Sequence, residues 1–408
     1  MASLSPTGIH VGRPKIRKVS VGLHAALSKK NISDVSLEGS QLLVKRQVQK
    51  TPSGGSVTVS LADVGITSSF FVPYDAERYH VNNNSNGTIS TLDRSQVVLA
   101  ADNSSVTING LANVASTINV TVQKNVISQK TKILSRSNSV SVQKSSVSGI
   151  NTNGLTNSKF YGMRVDDKEI SLNTPDVVKV VGVFESTNFT DPVLDKLVFV
   201  SGLSLNTSTV LGEKIKGAQS GAIAQLVGQT NATTVEIAYL TQARFIIGES
   251  VTFEESSITT NLQAISLGQF KDISSSFILD NGQRDEYYDY SRIVRKDGEQ
   301  IPSRRVKVFF DKFTVPPADT GDVFTVNSYP VENYKDVSIL PSGVRSSDTL
   351  DFRPRVEDFT STTKSPFDFS SRDMSSSGNN PTLVVAPNEA SKIDFSFYLP
   401  RIDKLVLD

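Results

Sequence analysis

Short runs of apolar residues at every second position, cut by polar turns, constrain this chain more than any other feature. Val57-Thr58-Val59-Ser60-Leu61, Val106-Thr107-Ile108 and Ile118-Asn119-Val120-Thr121-Val122 all alternate with period two. Successive side chains of a strand point to opposite faces, so each run suits a strand with one face buried. Asn86-Gly87 and Asn109-Gly110 are turn dipeptides, because Asn and Gly tolerate positive φ. Such runs at intervals of about 10–15 residues predict a β-sandwich over roughly 50–135, with a set of unrelated hairpins as the alternative.

The pattern continues beyond that module. A Ser/Asn/Gly/Thr-rich tract over 135–157 carries Val140, Val142 and Val147, and reads either as a linker or as polar edge strands against a neighbouring chain. Residues 177–184 form a β-branched run after Pro175 and predict a buried central strand. A weak repeat pairs Leu211-Gly212-Glu213-Lys214-Ile215 with Ile247-Gly248-Glu249-Ser250-Val251, thirty-six residues on, each opening a turn into a strand. One repeat pair is too little for a solenoid. From 271 the texture turns to aromatics with Asp and Arg, including the strand run Arg305-Val306-Lys307-Val308-Phe309-Phe310. Helix is expected only over 23–30 and 286–293, about two turns each. The fold class is therefore mainly β, in several consecutive antiparallel sandwich or barrel-like modules. The expected divisions are a basic docking segment (1–50), a β-sandwich (51–135), a Ser/Asn-rich connector and strand module (136–200), a small β module (201–270) and a C-terminal β module (271–408).

Composition narrows the chemistry. The chain has no Cys, no Trp and 3 His, while 56 of its 408 residues are Ser. Without cysteine there is no disulfide scaffold, thiolate metal site or cysteine nucleophile. His10, His24 and His80 are too scattered for a multi-His centre or a Ser-His-Asp triad. Phosphate-binding Gly-rich loops and nucleophile elbows are missing from strand-to-helix junctions. Nothing in the first thirty residues resembles a signal peptide, and no apolar run is long enough to span a membrane. A non-enzymatic structural or binding protein without cofactor or metal is the expectation.

The net charge of +1 conceals a division. Residues 1–50 carry +7, 51–100 carry −2 and 101–160 carry +5, giving +10, so that 161–408 sum to −9. Arg13, Lys15, Arg17, Lys18, Lys45 and Arg46 are candidate docking residues for an acidic neighbour. The first 69 residues lack aromatics on which bases could stack, which argues against nucleic acid.

The densest charged and aromatic run covers 280–292: Asp280, Arg284, Asp285, Tyr287, Tyr288, Asp289, Tyr290 and Arg292. Asp280-Asn281-Gly282 starts like a calcium loop, but position twelve is Ser291 where a bidentate Glu is required. Structural ion pairing is the favoured reading. A pair of these carboxylates in a tyrosine-lined cleft is the glycosidase alternative.

Within this run, Leu279-Asp280-Asn281-Gly282-Gln283-Arg284-Asp285-Glu286-Tyr287-Tyr288-Asp289-Tyr290-Ser291-Arg292-Ile293 resembles a hallmark of large tail and baseplate virion proteins of contractile-tailed phages, especially those of cyanobacteria. Phe71-Val72-Pro73-Tyr74-Asp75-Ala76-Glu77-Arg78-Tyr79, Arg164-Val165-Asp166-Asp167-Lys168-Glu169-Ile170-Ser171-Leu172, Thr349-Leu350-Asp351-Phe352-Arg353-Pro354-Arg355 and Ser396-Phe397-Tyr398-Leu399-Pro400-Arg401-Ile402-Asp403 are similar to the same family. Members are often longer, and the stop after Lys404-Leu405-Val406-Leu407 is a departure that suggests a shortened version or a strand pairing with another chain. The resemblance implies a building block of the tail, baseplate or fibre attachment, assembled in the host cytoplasm. It would pack against other tail subunits and copies of itself, with a trimer expected from tail symmetry. Its alternative is a receptor-binding fibre adhesin recognising host surface glycan through residues 287–290.

Overall fold

The computed structural model describes residues 24–26, 32–66, 68–142, 144–145, 157–188, 190–202, 204–319, 321–374 and 384–397. The chain is mainly β, as the alternation predicts, with one short α-helix (Leu205–Ser208) and several 3-10 turns among these residues. Its long strand Ile32–Lys50 pairs antiparallel with Ser116–Lys124, from Leu42 opposite Lys124 to Lys50 opposite Ser116. Around this pair a seven-stranded sheet forms with His80–Asn83, Ile89–Ser90, Ser69–Phe71, Val384–Val385 and Lys392–Phe397. A three-stranded sheet of Ser56–Ser60, Ser105–Asn109 and Val97–Leu99 faces it. Leu42, Val44, Phe71, Ile118 and Val120 from one sheet meet Val57, Val59, Val106 and Ile108 from the other in a single core. Val57, Val59, Val106, Ile108, Ile118 and Val120 are alternate residues of the runs quoted above, so the sequence period sets the inward face directly.

A second pair of sheets follows. One is ordered Ile133–Val142, Val306–Thr314, Val177–Ser186 and Phe270–Asp272, and the other Glu169–Pro175, Tyr290–Arg295 and Phe277–Asp280. Ile170, Leu172, Val177, Val183, Ile293, Val306 and Val308 fill the space between them. Residues 177–184 thus lie inside a sheet, and part of the Ser/Asn-rich tract is its edge strand Ile133–Val142. Val147 lies outside the described residues.

Between Val177–Ser186 and Phe270–Asp272, which pair with each other, the chain detours through a closed six-stranded barrel. Its strands run Lys196–Phe199, Thr234–Tyr239, Ile223–Gln229, Lys214–Gly217, Ser250–Phe253 and Thr259–Ser266 around the barrel. Side chains including Leu197, Phe199, Ile215, Leu226, Ile237, Val251, Phe253 and Leu262 fill it. Val227 and Ala238 on its outer face pack on Val181, Phe184 and Phe309 of the four-stranded sheet.

The thirty-six-residue repeat extends through this barrel. Gly212 N–H donates to the Leu226 carbonyl at 2.8 Å, and Gly248 N–H to the Leu262 carbonyl at 2.7 Å. Glu213, fully buried, accepts from the Val210, Glu255 and Ser256 N–H groups at 2.7, 3.0 and 3.0 Å. Glu249 accepts from Ile246, Gln219 and Ser220 N–H at 2.7, 3.0 and 2.9 Å. Each Glu thus closes its own entry turn and the turn that ends the first strand of the other repeat. The two halves brace each other.

The abundant Ser, Thr and Asn serve turns as well as strand edges. Asn83, Asn86, Asp102, Asn231 and Asp272 each accept from both the N–H and the hydroxyl of the Ser or Thr two residues on.

Three expectations require correction. Residues 286–293 are not helical: Tyr288 bridges Gln283 and Arg355, and Tyr290–Arg295 is a strand. Consecutive Tyr residues favour extended backbone, and here they bury both faces. In the segment 23–30, His24–Ala26 is a strand paired with Thr349–Asp351. The division after residue 50 also fails, because Ile32–Lys50 is integral to the sheet that 51–135 builds, and Lys392–Phe397 from the chain's far end pairs with it.

Candidate functional site

The run 280–292 is built as a turn between two paired strands, Phe277–Asp280 and Tyr290–Arg295, with Asp280 opposite Arg292. Gly282 makes this turn at φ +74°, where a Cβ would stand 2.2 Å from the Asp289 carbonyl oxygen, so glycine is required there. The turn sends its charged side chains to one side and Tyr288 to another, while Tyr287 and Tyr290 pack with Val356 and Phe359.

On the charged side, Asp289 is buried, and Arg284, Arg292 and Arg372 converge on it at 3.7, 2.9 and 2.9 Å. Arg284 also reaches Asp280 at 2.7 Å, Arg292 reaches Glu169 at 2.9 Å, and the Arg292 guanidinium lies 4.3 Å from the Phe367 ring centre. Burial pushes the Asp280 carboxyl up, but bonds from Arg284 and the Gly282 N–H outweigh it and hold the group below its usual range.

On the tyrosine side, Tyr288 is fully buried and its hydroxyl donates to Asp351 at 2.5 Å. Arg353, also fully buried, forms a two-bond pair with Asp351 at 2.9 and 2.6 Å and stacks 4.2 Å from the Tyr288 ring centre. Lys132 Nζ lies 2.7 Å from Asp176 Oδ2 and 3.0 Å from the Tyr288 hydroxyl. It sits 4.4, 4.5, 4.8 and 5.9 Å from the ring centres of Tyr288, Phe324, Tyr329 and Phe313. Burial pulls the Lys132 ammonium down to about 8, and Asp176 and Asp351 counter part of that pull. Gln283 Nε2 donates to the other Asp176 oxygen at 3.0 Å.

The sequence run is thus one wall of a larger hub. Lys132, Asp176, Asp351, Arg353 and Arg372 complete it and were not singled out as site residues. Asp351 and Arg353 lie within a stretch quoted for the resemblance; Lys132 and Asp176 give no local signal. Tyr287 is half-buried and packs with Val356 and Phe359, Asp285 is half-buried, and Glu286 is exposed. With Tyr288 and Tyr290 buried, residues 287–290 cannot serve as a sugar platform. Ring faces already packed in protein have none left for a ligand.

The docking residues separate as well. Arg13, Lys15, Arg17 and Lys18 lie outside the described residues. Arg46 shares the core-facing phase of Leu42, Val44 and Val48 and is buried, so it is removed from any docking surface. Lys45 points the opposite way, where its ammonium donates to the Glu77 carbonyl. It borders an open groove of about 460 Å³ lined also by His80, Asn82, Ile89, Asn119 and Pro387. Burial lowers the Lys45 ammonium from its ordinary value. Among the described residues, no cluster of three or more His, Asp or Glu is placed to hold a metal, and no helix is long and apolar enough to cross a membrane.

Fold and hub together define a class: an all-β scaffold of two sandwiches and an inserted barrel, with a buried ionic and aromatic centre. No protein-family model matches the chain, and no curated protein matches its sequence.

Proposed function

We propose that this chain is a non-enzymatic virion structural protein of the tail, baseplate or fibre-attachment region of a contractile-tailed phage, held by packing against neighbouring subunits and copies of itself. The resemblance of 279–293, 71–79, 164–172, 349–355 and 396–403 to such proteins points there. The observation that carries the reading is the pairing of the long strand Ile32–Lys50 with Lys392–Phe397, Ile32 opposite Phe397 and Gln41 opposite Lys392, which ties segments far apart in sequence into one sheet. A pull that would separate these two segments is resisted by backbone hydrogen bonds in a sheet, as a part that transmits force needs. The basic residues Arg13, Lys15, Arg17 and Lys18 dock an acidic neighbour in this reading.

Deleting 1–22 spares every described strand and tests both statements. The truncated protein is expected to fold but to be missing from particles that contain the full chain. Normal incorporation refutes the docking role, and absence of the full chain from purified particles refutes the function.

The groove beside Lys45 favours one second reading, a fibre adhesin. Its carboxamides and ammonium suit the hydroxyls of a host glycan. Binding of purified protein to host cells, lost on Asn82→Ala with Asn119→Ala, supports it, and no binding dismisses it.

A further inference from the structure

We propose that Lys132 and Asp176 form an intramolecular isopeptide bond, an amide between the lysine Nζ and the aspartate Cγ. Four observations assemble the reaction site. The nucleophile and its acceptor are in hydrogen-bond contact, Nζ to Oδ2 at 2.7 Å, with side chains 0% and 2% exposed. Gln283 Nε2 donates to Asp176 Oδ1 at 3.0 Å, where negative charge would grow during attack on the carboxyl carbon. The Tyr288 hydroxyl touches the amine at 3.0 Å and the Asp351 carboxylate at 2.5 Å, a ready proton relay. Phe313, Phe324, Tyr288 and Tyr329 enclose the amine from water.

The chemistry balances without an outside reagent. A proton passes from the ammonium to Asp176 Oδ2, giving a neutral amine and a neutral acid. The nitrogen lone pair then attacks Cγ, and Oδ1 takes the charge facing Gln283. The nitrogen gives a second proton to the Tyr288–Asp351 relay, which returns it to Oδ2. The Cγ–Oδ2 bond breaks, one water leaves, and the amide keeps one N–H.

Two opposing forces act on the first step. Aromatic faces favour the ammonium, whereas full burial of both charges penalises the ion pair and brings the lysine down to about 8. Passing one proton along the 2.7 Å contact relieves that penalty, and each passage is irreversible once water departs. The bond would close a loop whose ends are 44 residues apart in sequence. It would tie the lead-in to Ile133–Val142 to the start of Val177–Ser186, two strands that flank Val306–Thr314 without touching each other in the sheet. In a chain with no cysteine, this is a route to a covalent brace.

Intact-mass spectrometry of the purified full-length chain decides the matter. The expected mass is about 18 Da below that of the sequence, one water lost, with a tryptic peptide pair joined through Lys132 and Asp176. Lys132→Arg, which retains a cation but is not amidated, and Asp176→Ala restore the full mass. Tyr288→Phe lowers the share of freshly synthesised chain that has lost the ~18 Da. A wild-type mass equal to the sequence value overturns the proposal, as does an 18 Da loss mapped to another residue. The wild-type mass and the mapped peptide pair need no variant to fold.

Discussion

Replacing Glu249 or Glu213 by Ala tests the reciprocal bracing of the barrel. Glu249, 3% exposed, holds three backbone N–H groups and the Ser220 hydroxyl, and Glu213, fully buried, holds the equivalent set on the other repeat. Each bond to a charged acceptor contributes about 1.5–3 kcal/mol net, and the contributions are not additive. Water entering the vacated site recovers part of the loss, so a cost of about 3–5 kcal/mol is expected for either variant. Hydrogen exchange read by mass spectrometry on strands Lys214–Gly217, Ile223–Gln229, Ser250–Phe253 and Thr259–Ser266 isolates this module from the rest of the chain. At about 1.4 kcal/mol per decade, exchange there should quicken by a hundredfold to several thousandfold. Burial pushes the Glu249 carboxyl up, but the N–H groups of Ser220 and Ile246 and the Ser220 hydroxyl outweigh it, leaving it below its ordinary 4.5. A depressed acid contributes stability above its unfolded pKa and loses it as pH falls through the folded value. The gap between wild type and Glu249→Ala therefore narrows only in acid below 4.5. A cost under about 1 kcal/mol, or acceleration confined to one repeat, would refute the bracing argument.

Further outcomes follow from the hub and the sandwich. Asp289→Asn removes the charge on which Arg284, Arg292 and Arg372 converge and should cost about 3–5 kcal/mol in urea unfolding, a near-neutral result contradicting its role. Gly282→Ala meets both a positive φ and the Asp289 carbonyl, so it should lower stability by more than about 2 kcal/mol; an unchanged melting temperature would count against the turn as described. Arg46→Glu should disrupt the first sandwich while Lys45→Glu leaves it folded by circular dichroism, and equal tolerance of both would contradict the strand's phase.

What could be read in advance was whatever repeats with period two. The runs at 57–61, 106–108 and 118–122 became strands with their apolar residues inward, because register and burial are both local consequences of the pleat. The same rule, applied to Leu42, Val44, Arg46 and Val48, places Arg46 inside; counting charges along the segment hid this. The Gly-Glu repeat was visible, but not its purpose, since each Glu serves a turn in the other half and only barrel closure brings them together. The tyrosines at 288 and 290 looked helical because spacing alone cannot distinguish a buried strand from a short helix. The hub drew on Lys132, Asp176, Asp351 and Arg353 from separate stretches, and a lone Lys or Asp carries no sequence mark of burial.

The proposed place of the chain in a virion is tested most directly by electron microscopy of intact phage particles carrying a labelled copy of this protein. The account predicts label at the tail tip, baseplate or fibre attachment, in a symmetric number of copies per particle. Label confined to the head, or particles without it while the protein remains in the host lysate, would contradict it.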